Sequence, residues 1–403
     1  MTSIAQRFPA LRYRDFRLLW FGQIVSISGS QMQNVAIAYE IYQRTGSEAM
    51  LGMLGLARVI PIVIFSLVGG AVADGYPRRG IMMLTQGTMM VGAIALGMAS
   101  TYDVSSPAII LSLTALTAAA GAFNGPAQQA LMPNLVSAAH FPNAVSLSTI
   151  VFQFAMIVGP SLSGLVIAGS SVATVYWINA ATFLAVLAAL LAMRVREVAT
   201  GAPRPSVGSV IEGLRFVKRT RIIWSTMLLD FFATFFATAT ALLPVFAKEI
   251  LKVGPEGLGL LYAAEAVGSL VAGLLLSFVG DFRHKGAILL YAVAIYGAAT
   301  LAYGFSTSFF LSLFLLGLVG AGDSVSTVIR QTIRQLRTPD KVRGRMTSVN
   351  MIFFMGGPQL GNLEAGLVAA LIGAPMAVVT GGAAVLILVA LMAWRYPVLR
   401  RYS

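Results

Sequence analysis

The 403 residues are 57% hydrophobic and only 11% charged, against about 25% charged in soluble domains, so a water-soluble globular protein is excluded. The formal charge of +13 comes from basic residues scattered along the chain rather than from one patch, which removes nucleic acid as an expected partner. Without a cysteine there is no disulfide, thiolate nucleophile or cysteine metal site, and no cofactor or metal is expected.

Twelve mostly apolar stretches follow in chain order: 17–42, 51–73, 80–100, 107–132, 144–168, 174–195, 221–247, 257–279, 286–304, 309–334, 346–371 and 375–394. A membrane-crossing helix needs about 20 mostly apolar residues, and each stretch lies near or above that length. The first follows a tail that is polar through Arg17. It is longer than a signal-peptide core and lacks a small-residue cleavage pattern, so it is expected to remain in the protein. All basic residues except Arg44, Arg58, Lys248 and Lys252 fall in the N-terminal tail, the even-numbered loops or the C-terminus. Cytoplasmic loops collect Lys and Arg, so both termini and the even-numbered loops are assigned to the cytoplasm. The opposite loops are all short and leave no room for an external domain.

A hydrophilic stretch, Arg194 to Arg221, parts six spans from six. It defines a six-helix bundle over 1–195, a cytoplasmic linker over 196–220 and a second bundle over 221–403. In the linker, Pro203-Arg204-Pro205 favours extended backbone. Val207, Val210, Ile211, Leu214 and Val217 then recur at helical spacing, with Arg215, Lys218 and Arg219 on the other side and Ser209 with Glu212 as a capping-box pair. That pattern predicts a short amphipathic helix on the cytoplasmic leaflet, a solvated tether being the alternative. The halves also echo one another. Asp74 with Arg78 and Arg79 has a counterpart 207 residues on in Asp281 with Arg283 and Lys285, and Gly159-Pro160 has one 198 residues on in Gly357-Pro358. Duplicated six-span halves around a midplane site are how one large class of secondary transporters is built. No ATP-binding P-loop pattern occurs, so any pumping is driven by gradients.

Four motifs carry a family resemblance. They are Gly70-Ala-Val-Ala-Asp74-Gly75-Tyr76-Pro77-Arg78-Arg79, Ala155-Met-Ile-Val-Gly159-Pro160-Ser-Leu-Ser163-Gly164, Pro339-Asp340-Lys-Val-Arg343-Gly344-Arg345 and Tyr39-Glu-Ile-Tyr42-Gln-Arg-Thr45-Gly46-Ser47. With them, over essentially its full length, the chain resembles the major facilitator superfamily, in its enterobactin-exporter-like and drug-efflux branch. The resemblance implies an all-α membrane protein of 12 transmembrane helices in two pseudo-symmetric six-helix bundles. It also implies a cytoplasmic gate at Asp74, Arg78 and Arg79, with Asp281 and Arg283 as the second copy. Gly75 and Pro77 replace the Arg and Gly usual in that first motif. The second motif matches an exporter signature in which Gly159, Pro160 and Gly164 form a kinked, closely packed seam, echoed by Gly357 and Pro358. The plainer alternatives are that Arg78 and Arg79 only set topology and that the Gly-Pro steps only pack helices. The fourth span carries Thr117, Asn124 and Gln128 but no arginine, although proton-coupled drug antiporters commonly have one there. That relay therefore does not transfer.

A charge at the bilayer centre costs roughly 2.5–3.5 kcal/mol on insertion scales, so each intramembrane acid asks for a reason. Asp323 falls near the middle of span ten, Glu265 and Asp230 part-way into spans eight and seven, and Glu364 in span eleven; these four are the proton-coupling candidates, Asp323 foremost. Glu40 in span one reads as a structural or gate residue. Arg58 in span two is a deep arginine, and a permanent ion pair of Asp323 with Arg58 or Arg330 is the rival to coupling. The neutral residues Gln31, Gln33, Asn34, Asn124, Gln153, Gln359 and Asn362 join Arg58 as candidates for a substrate cavity, with helix pinning as the alternative.

The expected function is secondary active export of small amphipathic compounds, such as drugs, siderophores or related metabolites, by alternating access. Protons are the expected coupling ion, the lipid bilayer the surroundings, the cell membrane the location and a monomer the working unit. Uptake, or flipping of a lipid or lysophospholipid, is the transport alternative. A membrane sensor or a membrane-embedded enzyme is the alternative outside transport. His140 and His284, the two histidines, both fall in loops and show no metal spacing, which argues against an enzyme.

Overall fold

The computed structural model describes residues 8–194, 207–279, 284–400 and 402, and among them no strand occurs. Six long helices open the chain: α1 (Arg14–Thr45), α2 (Glu48–Gly75), α3 (Arg78–Thr101), α4 (Pro107–Leu131), α5 (Phe141–Gly169) and α6 (Val172–Ala192). A shorter helix, α7 (Val207–Arg219), precedes α8 (Arg221–Phe236), α9 (Gly254–Val279), α10 (Lys285–Gly304), α11 (Phe309–Arg337), α12 (Asp340–Ile372) and α13 (Ala374–Arg395). Local chemistry sets the connections. Ser106 caps α4 by accepting from the Ile109 N–H at 3.3 Å, with Pro107 in the first turn where no amide hydrogen is needed. At Gly46, φ is +59°, a conformation that lets α1 and α2 join through two residues.

Ten of the twelve expected spans meet both length and hydropathy criteria among the described residues. Those that fall short are α1 and α12, which carry Gln23, Gln31, Gln33, Asn34 and Glu40, and Gln359, Asn362 and Glu364. Span seven is not the continuous helix expected over 221–247. α8 stops at Phe236, a 3-10 turn follows over Ala239–Leu242, and a π-helical turn covers Phe246–Ile250. Pro244, with no amide hydrogen and a ring that crowds the carbonyl four residues back, keeps the 3-10 turn from continuing as regular helix, although it lies too far on to end α8 at Phe236.

Two compact units emerge, Met1–Ile41 with Ile60–Pro205, and Tyr42–Val59 with Ser206–Ser403. In the first, α3 packs on α4 and α6; in the second, α10 packs on α11 and α13. The third helix of each half therefore holds the fourth and sixth, the arrangement of a duplicated bundle. The first core gathers Phe16, Leu19, Met82, Leu131 and Phe183, and the second Ile223, Met227, Leu289, Val293 and Ile329. Tyr42–Val59 joins the second unit through α12. A Cβ on Gly55 would lie 2.2 Å from the Gln359 carbonyl, and one on Gly52 would lie 3.1 Å from the Gly366 Cα, so only glycine permits this approach. The Tyr42 hydroxyl also donates to Glu249, while Lys248 Nζ lies 5.3 Å from the Tyr42 ring centre.

Two sequence expectations need correcting. The C-terminal part of α7 does not face lipid: Val217 is fully buried in the second core, with Leu214 and Phe216 packed alongside, against α8 and α12, while the side chains of Val207, Val210 and Ile211 lie outside the described residues. The helix is already under way at Val207, so Ser209 lies inside it and not at its N-cap. Arg330 and Arg334, counted as loop cations, belong to α11 and are 1% and 5% exposed.

Candidate functional site

On α11, Asp323, Ser326, Thr327, Arg330 and Arg334 recur three and four residues apart, so they share one face of the helix. That face meets Asp230 of α8. Arg330 Nη2 lies 2.9 Å from Asp230 Oδ1 and 3.7 Å from Asp323 Oδ1. The same guanidinium donates to Ser326 Oγ and Thr327 Oγ1, each at 2.8 Å. Arg334 Nη1 lies 3.9 Å from Asp230 Oδ2 and donates to Asn350 Oδ1 of α12. The acids differ in access. Asp230 is 2% exposed, whereas the Asp323 side chain is 41% exposed. Two carboxylates and two guanidiniums balance formally, which lets so much charge persist in an apolar setting.

Of the four coupling candidates, the structure brings Asp230 and Asp323 together around Arg330. Glu265 is half-buried on α9 in electrostatic contact with Asp323, and Glu364 is half-buried on α12, both outside the ion pairs. Arg334 and Asn350 were missed from sequence because Arg334 looked like a loop cation. The three-and-four spacing running on from Asp323 is the signal that could have found them.

The first unit is pinned by neutral groups. Gln23, Ser26 and Gln33 of α1 each reach a different helix. Gln128 donates to Gln23 at 2.6 Å, Ser26 donates to Gln86 at 3.4 Å and Asn179 donates to Gln33 at 2.7 Å. Asn124 accepts from Thr85 at 3.1 Å and from Gln86 at 3.4 Å. Gln33 and Asn124, cavity candidates from sequence, thus serve bonds between helices. Asn34 is exposed and donates to Gln31 at 3.2 Å, and Gln153 is half-buried. In the second unit Arg58 is half-buried, and the side-chain oxygens of Gln359 and Asn362 are buried with no hydrogen-bond partner among the described residues. Glu40, 2% exposed, accepts from Ser105 Oγ at 2.6 Å and from Tyr176 OH at 2.7 Å.

Arg78 donates to the Ala130 carbonyl at 3.0 Å, and Arg79 donates to the Met193 and Leu191 carbonyls at 3.1 Å, near the C-terminal ends of α4 and α6. Those ends present carbonyls without helical partners and a negative dipole, which suits a guanidinium. The side chain of Asp74 and the whole of Asp281 and Arg283 lie outside the described residues, as do the side chains of Asp340, Arg343 and Arg345. Both Gly-Pro steps sit at close crossings within their own half. A Cβ on Gly159 would come 2.6 Å from Gln31 Cβ of α1, and one on Gly357 2.4 Å from Thr234 Oγ1 of α8. Gly164 is buried beside Ser163, which donates to the Met32 carbonyl at 2.9 Å. Pro160 and Pro358 lie inside α5 and α12.

The family model described as transmembrane secretion effector matches residues 5–401. The chain belongs to that family, within the major facilitator superfamily. Among curated proteins it is 26% identical over 366 residues to the multidrug efflux pump Tap of Mycolicibacterium fortuitum, covering 87% of this chain and 88% of that one. It is 24% identical over 347 residues to the enterobactin exporter EntS of Shigella boydii, covering 86% and 82%. Among solved structures, a bacterial homologue of the human lysosomal transporter Spinster, inward-facing and unoccupied, matches with a TM-score of 0.76 and 14% identity over 96% of this chain and 98% of that one. This is a multi-pass membrane transporter of small molecules and not an enzyme.

Proposed function

We propose that this transporter exports small amphipathic molecules, such as drugs, siderophores or related metabolites, across the cell membrane in exchange for protons. A single chain does the work, with both termini in the cytoplasm. The observation that carries the reading is one sealed and one accessible acid on a shared arginine. Asp230, 2.9 Å from Arg330 and 2% exposed, is suited to remain a fixed counter-ion. Asp323, 3.7 Å away with its side chain 41% exposed, is the acid of the two that a proton could reach. Taking up a proton there changes the charge of a weakly screened cluster by one, enough to bias a conformational equilibrium. The Tap and EntS names favour export as the direction. On the substrate side, half-buried Phe231 and Phe235 of α8 stack at 6.1 Å, and Phe353 of α12 lies 5.9 Å from Phe231. Aromatic surface beside carboxylates suits amphipathic cations and zwitterions, and the unpartnered oxygens of Gln359 and Asn362 would accept from substrate N–H or O–H groups. Arg78 and Arg79, already fixed to helix ends, would act in the cytoplasmic gate by holding α4 and α6 together.

The test is Asp323→Asn in proteoliposomes, with the fluorescent cation ethidium as probe. Transport driven by a pH gradient should be lost while exchange at equal pH is kept. Undiminished pH-driven transport, or loss of both activities in a protein that melts normally, would move coupling away from Asp323.

A further inference from the structure

Arg334 has partners on two different helices. Its Nη1 donates to Asn350 Oδ1 on α12 and stands 3.9 Å from Asp230 Oδ2 on α8. That Asp230 oxygen is buried and accepts no hydrogen bond among the described residues. A carboxylate oxygen sealed from water without a donor is a standing demand for one. Arg330 does not meet it in its present position, its own Nε also being buried without a hydrogen-bond partner among the described residues. Its Nη2 carries two hydrogens and already serves Asp230 Oδ1 and Thr327 Oγ1, with Asp323 a third claimant at 3.7 Å.

We propose that Arg334 and Asn350 are positioning residues that pass the charge state of Asp323 to α12. This rests on Asp323 being the coupling acid. With Asp323 protonated, Arg330 stays on Asp230, and Arg334 stays on Asn350, tying α11 to α12. With Asp323 ionised, Arg330 is drawn toward it and Asp230 loses part of its compensation. Arg334 then closes on Asp230 Oδ2 and releases Asn350. The proton enters from water onto the Asp323 carboxylate and leaves the same way, and only hydrogen bonds change otherwise. The groups facing Arg334 and Asp323 are Asp230 from α8, Glu265 from α9, Tyr296 from α10, Asn350 from α12 and Arg330 on α11 itself. Tyr296 is occupied, donating to the Ala237 carbonyl at 3.2 Å. α12 is a helix worth moving, because it carries Gln359 and Asn362 and packs through Gly357 and Gly361 on α8.

The absence of cysteine makes the test direct. Leu336 on α11 and Met355 on α12 are 67% and 37% exposed. Replacing both with Cys and attaching spin labels gives an α11–α12 distance in lipid nanodiscs that needs no substrate. The parent should shift its distance distribution between mildly acidic and mildly alkaline buffer. Asn350→Leu should lose that shift and Asn350→Gln should restore it. Asn350→Asp, which holds Arg334 by charge, should keep the acid-side distance in both buffers. A parent that does not shift, or an Asn350→Leu protein that shifts as the parent does, overturns the handover. If Asn350→Leu fails to fold, an undiminished shift in Asn350→Asp overturns it instead. The reading beneath is tested separately: a full shift in Asp323→Asn removes Asp323 as the coupling acid, whereas loss there with retention in Asn350→Leu removes only the Arg334 step.

Discussion

Replacing Asp230 with Asn keeps the shape of the side chain and removes one charge from a sealed pair. Arg330 is 1% exposed and 2.9 Å from the lost charge, so its guanidinium would be left buried with a diminished counter-ion. Breaking a buried pair from one side costs about 3–5 kcal/mol. The hydroxyls of Ser326 and Thr327 remain as acceptors at 2.8 Å, which places the expectation near the lower end, about 3 kcal/mol. Asp323→Asn removes a charge that is farther from Arg330 and leaves the 2.9 Å pair with Asp230 in place, so a clearly smaller loss is expected. Reversible unfolding of the two purified variants in the same detergent measures both. The double variant Asp230→Asn/Arg330→Met should recover much of the loss, because no buried charge is then stranded. Equal losses for the two single variants would show that Asp230 and Asp323 share the arginine evenly, and the division into a fixed and an exchanging acid would fall.

Two further outcomes concern packing in each half. A Cβ on Gly361 would lie 2.6 Å from the Phe235 carbonyl, so Gly361→Ala should lower stability by about 1–3 kcal/mol in thermal unfolding. Gly356 has open space around it, and Gly356→Ala should be neutral or raise stability by up to about 1 kcal/mol through helix propensity. Similar melting of the two variants would contradict the close α8–α12 crossing. Tyr176→Phe removes a 2.7 Å donor from Glu40 and should cost about 1–2 kcal/mol, the upper range for a bond between helices in a membrane, with transport rate otherwise kept. A large transport defect at unchanged stability would instead make Glu40 part of the transport cycle.

Much of the fold was legible because a bilayer imposes length and hydropathy on every crossing segment. Even the two least apolar spans, α1 and α12, owe this to their amides and acids, which apart from Gln23 are the residues that drew notice in the sequence. The interruption of span seven was less visible, since the stretch around Pro244 is an apolar run that reads as unbroken. Arg330 and Arg334 were misplaced for a physical reason too. Charge sorting treats every cation near a span end as a topology marker, and cannot tell an exposed guanidinium from one whose partner, Asp230, lies about a hundred residues away in the sequence. The amides were ambiguous in the same way, because a Gln that pins a helix and one that meets substrate share a composition.

The duplicated halves keep one architecture but polarise it differently. Gly159 lets α5 approach α1, and Gly357 with Gly361 lets α12 approach α8, so the fifth helix of each half closes on the first. In the first half, Gln23, Ser26 and Gln33 of α1 make bonds between neutral groups, and the one buried acid on that helix, Glu40, is held by the hydroxyls of Ser105 and Tyr176 with no arginine in those bonds. In the second half, the equivalent first helix carries Asp230, and its partners on α11 are arginines. A neutral network stays the same through a transport cycle, whereas a carboxylate–guanidinium network reorganises whenever one member gains or loses a proton. On the proposed coupling by Asp323, the asymmetry would give the first half mainly to scaffolding and the second to coupling. It predicts that amide-to-leucine changes at Gln33 or Gln86 will lower stability without altering the pH dependence of transport. If Gln33→Leu shifted that pH profile as far as Asp323→Asn does, the division between the halves would be wrong, and coupling would have to be spread over both.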